Sequence, residues 1–176
     1  AYPADQSGDG IQPLLYVKTR IKTPESMKEK LERRGLLTDC ATALREVHDA
    51  LGMRMICSFG EEVYRMADWL YRRPEIQIVE EKDYIAYPKP NGYRSLHLIL
   101  QFTQRELSGI YAEVQIRTIA TDFWAVLEHQ MKYKQNVPHE SVIQEELKRC
   151  ADEIASVDLS MQTLRDILRS DDWNRE

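Results

Sequence analysis

The pattern of apolar and polar positions alternates most clearly in two segments in the middle of the chain. Three leucines occupy every second position from Leu96 to Leu100, and apolar residues alternate with polar ones from Tyr111 to Arg117. A period of two is typical of a β-strand with one buried face. We therefore predict strands over 95–102 and 110–117. Shorter apolar runs predict three further extended segments, over 11–22, 53–59 and 76–79.

Apolar residues with helical spacing occur between these strands and after the last of them. Thr23 can cap a helix whose first position is Pro24 and whose end is marked by Gly35, and Asp39 can cap the next one. The patterns predict helices over 23–34, 39–47, 61–72 and 118–133. The side chains predicted to face inward from the first strand and from these helices are Leu14, Tyr16, Ile21, Met27, Leu31, Ala43, Leu44, Val47, Val63, Met66, Ala67, Leu70, Phe123, Trp124 and Leu127.

A longer apolar repeat follows Pro138. Its members are spaced alternately four and three residues apart, which is a heptad pattern and predicts one helix from about 138 to 169. At ~1.5 Å per residue this helix would be ~45 Å long and would extend beyond a domain of this size. Packing partly on its own core and partly on another subunit, and packing within one chain only, are equally open interpretations. The repeat consists of Ile143, Leu147, Cys150, Ile154, Val157, Met161, Leu164 and Leu168.

Length and charge restrict the class of protein. The 176 residues suit one mixed α/β domain, and the net charge of −5 argues against a generally basic nucleic-acid binder. We divide the chain into a flexible tail (1–13), a globular domain (14–137) and the C-terminal helix (138–176). Residues 18–34 carry seven basic and three acidic side chains, which favours a small polyanion as ligand. A solvated helix face with pairs such as Glu29–Arg33 would explain the same charges.

The cysteines and the hydropathy pattern exclude several other classes. Cys40, Cys57 and Cys150 are far apart and form no C-x-x-C pair, so neither a disulfide framework nor a zinc site is indicated. No apolar run has membrane-spanning length and no signal peptide is visible. We therefore expect a cytoplasmic protein without a membrane partner.

The segment 82–97 combines a loop with the start of a strand. Pro88 and Pro90 exclude helix, and Asn91-Gly92 predicts a turn. A tyrosine ring can stack on a nucleobase and neighbouring cations can hold its phosphates. A hairpin-like loop whose rings cap the core explains the same composition and is favoured by composition alone. The alternating tyrosines and cations are Tyr84, Tyr87, Lys89, Tyr93 and Arg94.

Polar residues of the predicted strands would converge on one sheet face if those strands are neighbours. Arg54 and His97 each lie opposite apolar neighbours, Glu113 and Gln115 share one side of their strand, and Asp49 precedes the Arg54 strand. Two carboxylates among cations suit a magnesium–triphosphate site, because Mg²⁺ takes one or two carboxylates together with phosphate oxygens and waters. Each residue taken singly is more simply explained by a structural ion pair.

Four motifs, in order and in register from about residue 14 to residue 134, resemble the RelA/SpoT synthetase signature. This resemblance implies an α/β (α+β) fold of the nucleotidyltransferase type, with a mixed, mainly antiparallel sheet flanked by helices. Since 176 residues leave no room for a preceding hydrolase domain or following regulatory domains, we expect a small alarmone synthetase. The motifs are Asp49-x-x-Gly52-x-Arg54, Tyr84-Ile85-Ala86-x-Pro88-Lys89-Pro90-Asn91-Gly92-Tyr93-Arg94-Ser95-Leu96-His97, Glu113-x-Gln115-Ile116-Arg117-Thr118 and Phe123-Trp124-x-x-x-Glu128-His129.

The resemblance also implies an activity and a set of roles. The β,γ-pyrophosphate of ATP would pass to the 3′-hydroxyl of GDP or GTP, giving AMP and ppGpp or pppGpp. Asp49 and Glu113 would hold Mg²⁺, with Mn²⁺ as an alternative, and Glu113 would also take the proton of the 3′-hydroxyl. A homotetramer built partly through the C-terminal helix is implied as well. The residues implied for ATP are Arg20, Lys22, Lys30, Arg33 and Arg54, and those for GDP or GTP are Lys89, Tyr93, His97, Gln115 and Asp122.

Three other functions were weighed against this one. A toxin of the same fold that pyrophosphorylates the 3′ end of tRNA would need a basic surface, which a net charge of −5 does not favour. A non-catalytic nucleotide- or RNA-binding module would not need both Asp49 and Glu113. A phosphohydrolase built on His48-Asp49 would need further helical ligands that His97 and His129 do not supply. RNA binding is not required by the synthetase hypothesis and stays open.

Overall fold

A computed structural model describes residues 12–107, 109–132 and 140–172. Its strands are β1 (Leu14–Ile21), β2 (Leu51–Cys57), β3 (Ile76–Asp83), β4 (Leu96–Phe102) and β5 (Tyr111–Thr118). Its helices are α1 (Pro24–Arg33), α2 (Cys40–Glu46), α3 (Gly60–Tyr71), α4 (Ile119–Lys132) and α5 (Glu140–Asp172), with a short 3-10 turn at Arg105–Leu107. The predicted tail lies outside the described residues except for Gln12 and Pro13, whose carbonyl oxygens accept hydrogen bonds from Ser58 at 2.5 and 3.1 Å.

The five strands form one sheet in the order β1-β2-β5-β4-β3. Only the central pair, β2 and β5, runs parallel, and the other neighbours are antiparallel. The expected mixed, mainly antiparallel sheet flanked by helices is therefore confirmed. Helices α3 and α4 follow β2 and β5 directly, so each of the two central strands leads into a helix that packs back on the sheet.

The core lies between the apolar face of the sheet and α3. Met55, Leu98 and Val114 from three adjacent strands meet Val63 and Met66 of α3, and all five are nearly or fully buried. Burying each such side chain is worth about 1.5–3 kcal/mol. One face of the sheet is thus held by apolar packing, and the opposite face is available for polar chemistry.

Local chemistry sets the helix ends as predicted. The Thr23 hydroxyl oxygen accepts a hydrogen bond from the Ser26 amide at 3.2 Å with Pro24 at the first position, and Gly35 follows α1 with a φ of +67°. Asp39 accepts the Thr42 amide at 2.8 Å and caps α2. The predicted end of β3 at residue 79 is wrong: the strand continues to Asp83 past an irregularity in its pairing with β4.

Several side chains predicted to face inward are exposed. The reasons differ between elements. Tyr16 pairs with Ile56 on the polar side of the sheet, where its hydroxyl approaches Asp122. Ile21 lies at the end of the edge strand β1, and α2 and α4 turn one apolar side to the solvent. Leu14 and Trp124 do pack in cores, as predicted, and Trp124 is only 5% exposed. The exposed residues are Tyr16, Ile21, Leu44, Phe123 and Leu127.

Helix α5 uses two different surfaces along its 33 residues. In its first half, Leu147 and Ile154 pack with Ala151 against Trp124 of α4, and the Trp124 indole donates to the Leu147 carbonyl oxygen at 2.8 Å. In its second half the heptad positions do not face the domain. Val157, Met161, Leu164 and Leu168 are all more than half exposed. No helix among the described residues combines the length and apolar character needed to span a membrane.

Candidate active site

The polar face predicted from alternation is one continuous surface. A single cross-strand row runs over all five strands, because each of its residues pairs with the next in the sheet register. Adjacent members of such a row stand close together on one face of a sheet. The row consists of Lys18, Arg54, Gln115, His97 and Lys82.

A cleft of about 600 Å³ lies over this face. Strands β1, β2 and β5 form its floor, while Tyr93 and the α4 residues Glu128 and His129 form its walls. Glu113 and Arg54 both open into it. The cleft therefore combines cations, a carboxylate and an aromatic ring in a space suited to a nucleotide-sized ligand.

Glu113 lies on the floor of the cleft with an 18% exposed side chain. His97 Nδ1 lies 3.2 Å from one of its carboxylate oxygens, and Gln115 donates to the other at 2.9 Å. The hydrogen bond from His97 is the main cause that lowers the pKa of Glu113, against the opposing effect of burial. An ionised carboxylate at neutral pH can accept a proton from a bound hydroxyl.

Asp49 lies in the turn before β2, three residues before Gly52, which lines the cleft. Lys22 Nζ and Lys30 Nζ each lie 2.6 Å from one of its two carboxylate oxygens. Burial by itself would raise the pKa of Asp49, but the two lysines outweigh it and lower the pKa to about 2. The charge of Asp49 in turn acts to raise the pKa of Glu113, so the two acids are close enough to interact.

These two acids fit a Mg²⁺ site in which substrate oxygens supply the remaining ligands. Both Asp49 and Glu113 have lowered pKa values and are ionised at neutral pH. Over the described residues there is no group of three or more His, Cys, Asp or Glu side chains placed to hold a metal without other ligands. Mg²⁺ commonly takes one or two protein carboxylates and completes its shell with phosphate oxygens and waters.

The cations predicted for ATP lie in three places: at Asp49, in the cleft and on the exposed side of α1. Arg20 lies flat over Gly52, where an added Cβ would stand 3.0 Å from its side chain, and Arg54 lines the cleft. Arg33 lies exposed on α1, and its Nε donates to the Glu29 carbonyl oxygen at 3.4 Å. The structure therefore brings Arg20 and Arg54 to the cleft and Lys22 and Lys30 to Asp49, and it leaves Arg33 exposed on α1.

The loop between β3 and β4 brings Tyr93 to the cleft and packs Lys89 against two of its rings. Lys89 Nζ lies between two aromatic rings, 4.5 Å from the centroid of Tyr84 and 4.9 Å from that of Tyr93. The predicted turn is closed by a hydrogen bond of 2.8 Å from the Gly92 amide to the Lys89 carbonyl oxygen, and Gly92 has a φ of +87°. Tyr93 is half-buried and reaches the cleft, so a purine can approach its ring.

Arg94 faces α5 and does not join the other loop cations. Its guanidinium donates to Asp152 of α5 at 3.1 Å and to the Gly92 carbonyl oxygen at 3.1 Å. Gly92 itself packs on α5, where an added Cβ would stand 2.5 Å from the Cβ of Ala151. The loop that carries Tyr93 is thus braced by the C-terminal helix.

We expect Gly92→Ala to raise by roughly tenfold the KM for any nucleotide that binds in the cleft against Tyr93. An alanine here meets Ala151 and adopts a left-handed backbone that costs about 1–2 kcal/mol, so the turn must shift. Steady-state kinetics with each nucleotide varied in turn measures the effect.

Gly35→Ala is the matched control for Gly92→Ala. Gly35 also has a positive φ of +67°, but nothing lies within 4 Å of an added Cβ there. It should lower stability slightly and leave both KM values unchanged. Equal KM effects of the two substitutions would contradict the bracing of the loop by α5.

A profile described as a region found in RelA/SpoT proteins matches residues 19–138. The match covers both acids, the tyrosine-rich loop and the start of α4. This chain belongs to the RelA/SpoT family. Among its relatives is the Bacillus subtilis GTP pyrophosphokinase YwaC, 42% identical over 146 residues that cover 81% of this chain and 70% of YwaC. GTP pyrophosphokinase YjbM of the same organism is 31% identical over 162 residues, covering 89% of this chain and 74% of YjbM.

Solved structures of RelA/SpoT proteins share the fold. Small alarmone synthetase 1 from Bacillus subtilis, bound to its product pppGpp, matches with a TM-score of 0.79 and 30% identity, over 92% of this chain and 83% of that one. Small alarmone synthetase 2 from the same organism matches with a TM-score of 0.78 and 39% identity, over 92% and 86% of the two chains. The expected fold and family are therefore both confirmed.

Two RelA/SpoT motif residues have roles that sequence reasoning did not assign. Glu128 is buried on α4 and accepts a hydrogen bond of 2.9 Å from Asn91, which ties the loop to α4. Arg117 is 3% exposed and donates to Tyr93 and Gln115. Their place inside the motifs was the available signal, but motif membership does not say which residues they contact.

Asp122 is more enclosed than its assignment to guanine suggested. It is 4% exposed, and its carboxylate lies 3.0 Å from Arg117, 3.3 Å from Arg54 and 3.4 Å from the Tyr16 hydroxyl. The structure thus places Asp122 behind the cleft wall, between arginines of β2 and β5.

Proposed function

We infer that this RelA/SpoT protein is a (p)ppGpp synthetase, an ATP:GTP 3′-diphosphotransferase that uses GDP or GTP as acceptor. The observation that carries this conclusion is the ionised Glu113 on the floor of a cleft that also holds Tyr93, within range of the charge of Asp49. Two relatives that match most of the chain are named GTP pyrophosphokinase. A structurally similar small alarmone synthetase has been solved with pppGpp as its product.

In the proposed reaction the guanine base stacks on Tyr93 and Glu113 takes the proton of the 3′-hydroxyl. The 3′-oxygen forms a bond to the β-phosphorus of ATP. The bond between that phosphorus and the oxygen bridging to the α-phosphorus breaks, and AMP leaves with the bonding electron pair. The protein's contribution is alignment of the two nucleotides and neutralisation of charge.

The cations near Asp49 are suited to the phosphates of ATP. Lys22 and Lys30 share the single negative charge of Asp49 in this structure, so one positive charge is left to balance. A triphosphate offers both lysines more negative oxygens. Asp49 and Glu113 would hold Mg²⁺ or Mn²⁺, which supplies further neutralisation of the phosphate charge when bound. Arg20 and Arg54 are proposed to stack on the two faces of adenine, since a guanidinium plane stacks on a π system.

The remaining proposed contacts belong to the acceptor. Lys89 and His97 would bind its 5′-phosphates and Gln115 would position it. Asp122 would contact the guanine edge only after Arg117 or Arg54 moves away from its carboxylate. Arg33 would reach ATP phosphates only from outside the cleft. Because ATP and guanine nucleotides are cytoplasmic metabolites, we place the proposed activity in the cytoplasm.

One assay tests the function and separates it from its alternatives. ATP labelled at the β-phosphate is incubated with Mg²⁺ and with GDP, GTP or tRNA as acceptor. Label in the guanine nucleotide with release of unlabelled AMP supports the synthetase, and label in tRNA supports the toxin of the same fold. Label that stays in ATP supports a binding module, and label found in ADP would show an ordinary kinase.

We also propose that the protein is a homo-oligomer, with a tetramer implied by the family resemblance. The support is the exposed heptad stripe of α5, formed by Val157, Met161, Leu164 and Leu168. A contiguous apolar helix face of this kind is typical of a protein–protein contact. The occupant proposed is a second copy of the same chain.

We expect the double substitution Met161→Glu and Leu164→Glu to reduce the molar mass in solution to that of a smaller species. The charges would be buried without partners in the contact, which is costly. Light scattering after size-exclusion chromatography gives the measurement. Ser160→Glu, on the same helix but outside the stripe, should leave the mass unchanged, and an identical mass for all three proteins would refute this interface.

A further inference from the structure

Arg117 is a buried arginine at the end of β5 to which the sequence assigned no role. One of its terminal nitrogens donates to Asp122 at 3.0 Å. The other donates to two acceptors, the Tyr93 hydroxyl at 2.6 Å and the Gln115 side-chain oxygen at 2.8 Å. The guanidinium carbon also lies 5.0 Å from the centroid of the Tyr93 ring. One side chain therefore contacts both the stacking ring and a neighbour of the proposed base.

These contacts belong to a closed ring of hydrogen bonds. From Tyr93 the path continues to His97 Nε2 at 2.7 Å and from His97 Nδ1 to Glu113 at 3.2 Å. From Gln115 it continues to the other oxygen of Glu113 at 2.9 Å. Two paths thus lead from Arg117 to the same carboxylate. We call these five residues the Arg117 ring.

The directions of the hydrogen bonds in the Arg117 ring follow from its two charged members, because Arg117 can only donate and the ionised Glu113 can only accept. The Tyr93 hydroxyl oxygen accepts from Arg117, so its hydrogen is available to His97 Nε2. His97 then carries its proton on Nδ1, which donates to the ionised Glu113. Gln115 turns its oxygen to Arg117 and its amide nitrogen to Glu113. A side chain at position 117 that cannot donate in a fork would remove the link between the Tyr93 hydroxyl and the Gln115 oxygen.

The placement of Arg117 is poorly explained by stability alone. Its Nε is buried and has no hydrogen-bond partner among the described residues, and an unsatisfied buried donor is costly. A buried arginine–carboxylate pair such as Arg117–Asp122 also loses hydration on burial and often contributes little net stability. Unsatisfied buried polar groups in folded proteins call for a specific explanation.

We propose that Arg117 is a positioning residue that fixes the acceptor-stacking ring of Tyr93 and the base Glu113 relative to each other. This inference rests on the proposed synthetase function. It is distinct from a purely structural role of Arg117, in which the Arg117–Asp122 pair only joins β5 to α4. In that case loss of Arg117 would lower stability, and the folded molecules would keep their kinetic constants.

Arg117→Lys is the deciding variant, because lysine keeps the charge beside Asp122 but cannot donate in a fork to Tyr93 and Gln115 together. We expect kcat to fall by about 10–100-fold, since small misplacements of reacting groups have effects of this size. The KM for GDP should rise severalfold, and the KM for ATP should change less than twofold. Arg149→Met is the control: Arg149 is an exposed arginine on α5 that pairs with Glu146 and Glu153, and its loss should change none of these constants.

Tyr93→Phe tests the ring without touching Arg117. It removes only the hydroxyl that joins Arg117 to His97 and keeps an aromatic surface for the base. We expect a smaller fall in kcat than in Arg117→Lys, and little further loss when the two substitutions are combined, because residues that act as a unit are not additive. If Arg117→Lys does not fold, Tyr93→Phe alone decides the matter.

The outcomes separate the two proposals. If the wild type is active, three results would each overturn the positioning role and leave the synthetase function intact. They are wild-type kinetics in folded Arg117→Lys, unaltered kinetics in Tyr93→Phe, and additive losses in the double variant. A wild type that transfers no label to GDP or GTP overturns the function, and this inference with it. A lowered kcat, a raised KM for GDP and non-additivity support the inference.

Discussion

Glu113→Gln is expected to lower kcat by about 10²–10⁴-fold while the affinities for both nucleotides stay within a few-fold of wild type. The amide has nearly the shape of the carboxylate and can keep a hydrogen bond to Gln115 or His97, so the floor of the cleft is retained. What it loses is the ability to accept the proton of the 3′-hydroxyl. Single-turnover rates with GDP, together with calorimetric titration of GDP and a non-hydrolysable ATP analogue, measure both quantities.

Two controls sharpen this prediction for Glu113. Glu146→Gln changes an exposed carboxylate on α5 and should leave kcat unchanged. A Mg²⁺ titration of Glu113→Gln separates the role of base from that of metal ligand, because a weakened metal site is compensated by excess Mg²⁺ and a missing base is not. An unimpaired rate at any Mg²⁺ concentration would refute the base role of Glu113.

Glu62→Gln is expected to lower the free energy of unfolding by about 3–5 kcal/mol. Glu62 of α3 and Arg165 of α5 have side chains only 1% and 2% exposed, and their atoms lie 2.7 Å apart. The Arg165 guanidinium also lies 4.6 Å from the centroid of the Phe59 ring. Removal of the negative charge takes one close ion-pair partner away from the buried positive charge of Arg165. Urea denaturation followed by circular dichroism measures the loss.

The neighbouring acid is a matched control for this buried pair. Glu61 forms ion pairs with Arg65 and Arg169 but is 41% exposed, so Glu61→Gln should cost less than about 1 kcal/mol. Combining Glu62→Gln with Arg165→Met should recover much of the lost stability, because neither charge is then buried alone. Equal costs for the two single glutamine variants would show that burial does not decide the strength of these pairs.

Strands, helix ends and the polar sheet face could be predicted because each depends on residues close together in the sequence. The Thr23 and Asp39 caps need only a hydroxyl or carboxylate three residues before an amide. The face shared by Arg54 and Gln115 needs only alternation within each strand, and the parallel pairing of β2 with β5 then makes them neighbours. The roles of Asp49 and Glu113 came from the family resemblance, and the structure brings their charges within interaction range.

Partners that are distant along the chain explain where sequence reasoning was incomplete. Arg94 follows Tyr93 directly and was grouped with the nucleotide-binding cations, yet its partner is Asp152, 58 residues away. The heptad spacing of α5 does not reveal that its second half is held by Arg165, whose partner Glu62 is 103 residues away. That ion pair turns the apolar stripe away from the domain, which periodicity within one helix cannot indicate.

The contact between Gly92 and Ala151 makes the acceptor loop sensitive to what happens elsewhere on the C-terminal helix. Ala151 is about 9 Å along the helix axis from Val157, where the exposed stripe begins. In the oligomer proposed above, a contact that displaces α5 at the stripe would also displace Ala151 and the turn beneath Tyr93. Dilution of the proposed oligomer into monomers should therefore change the KM for GDP or GTP and leave the KM for ATP unchanged.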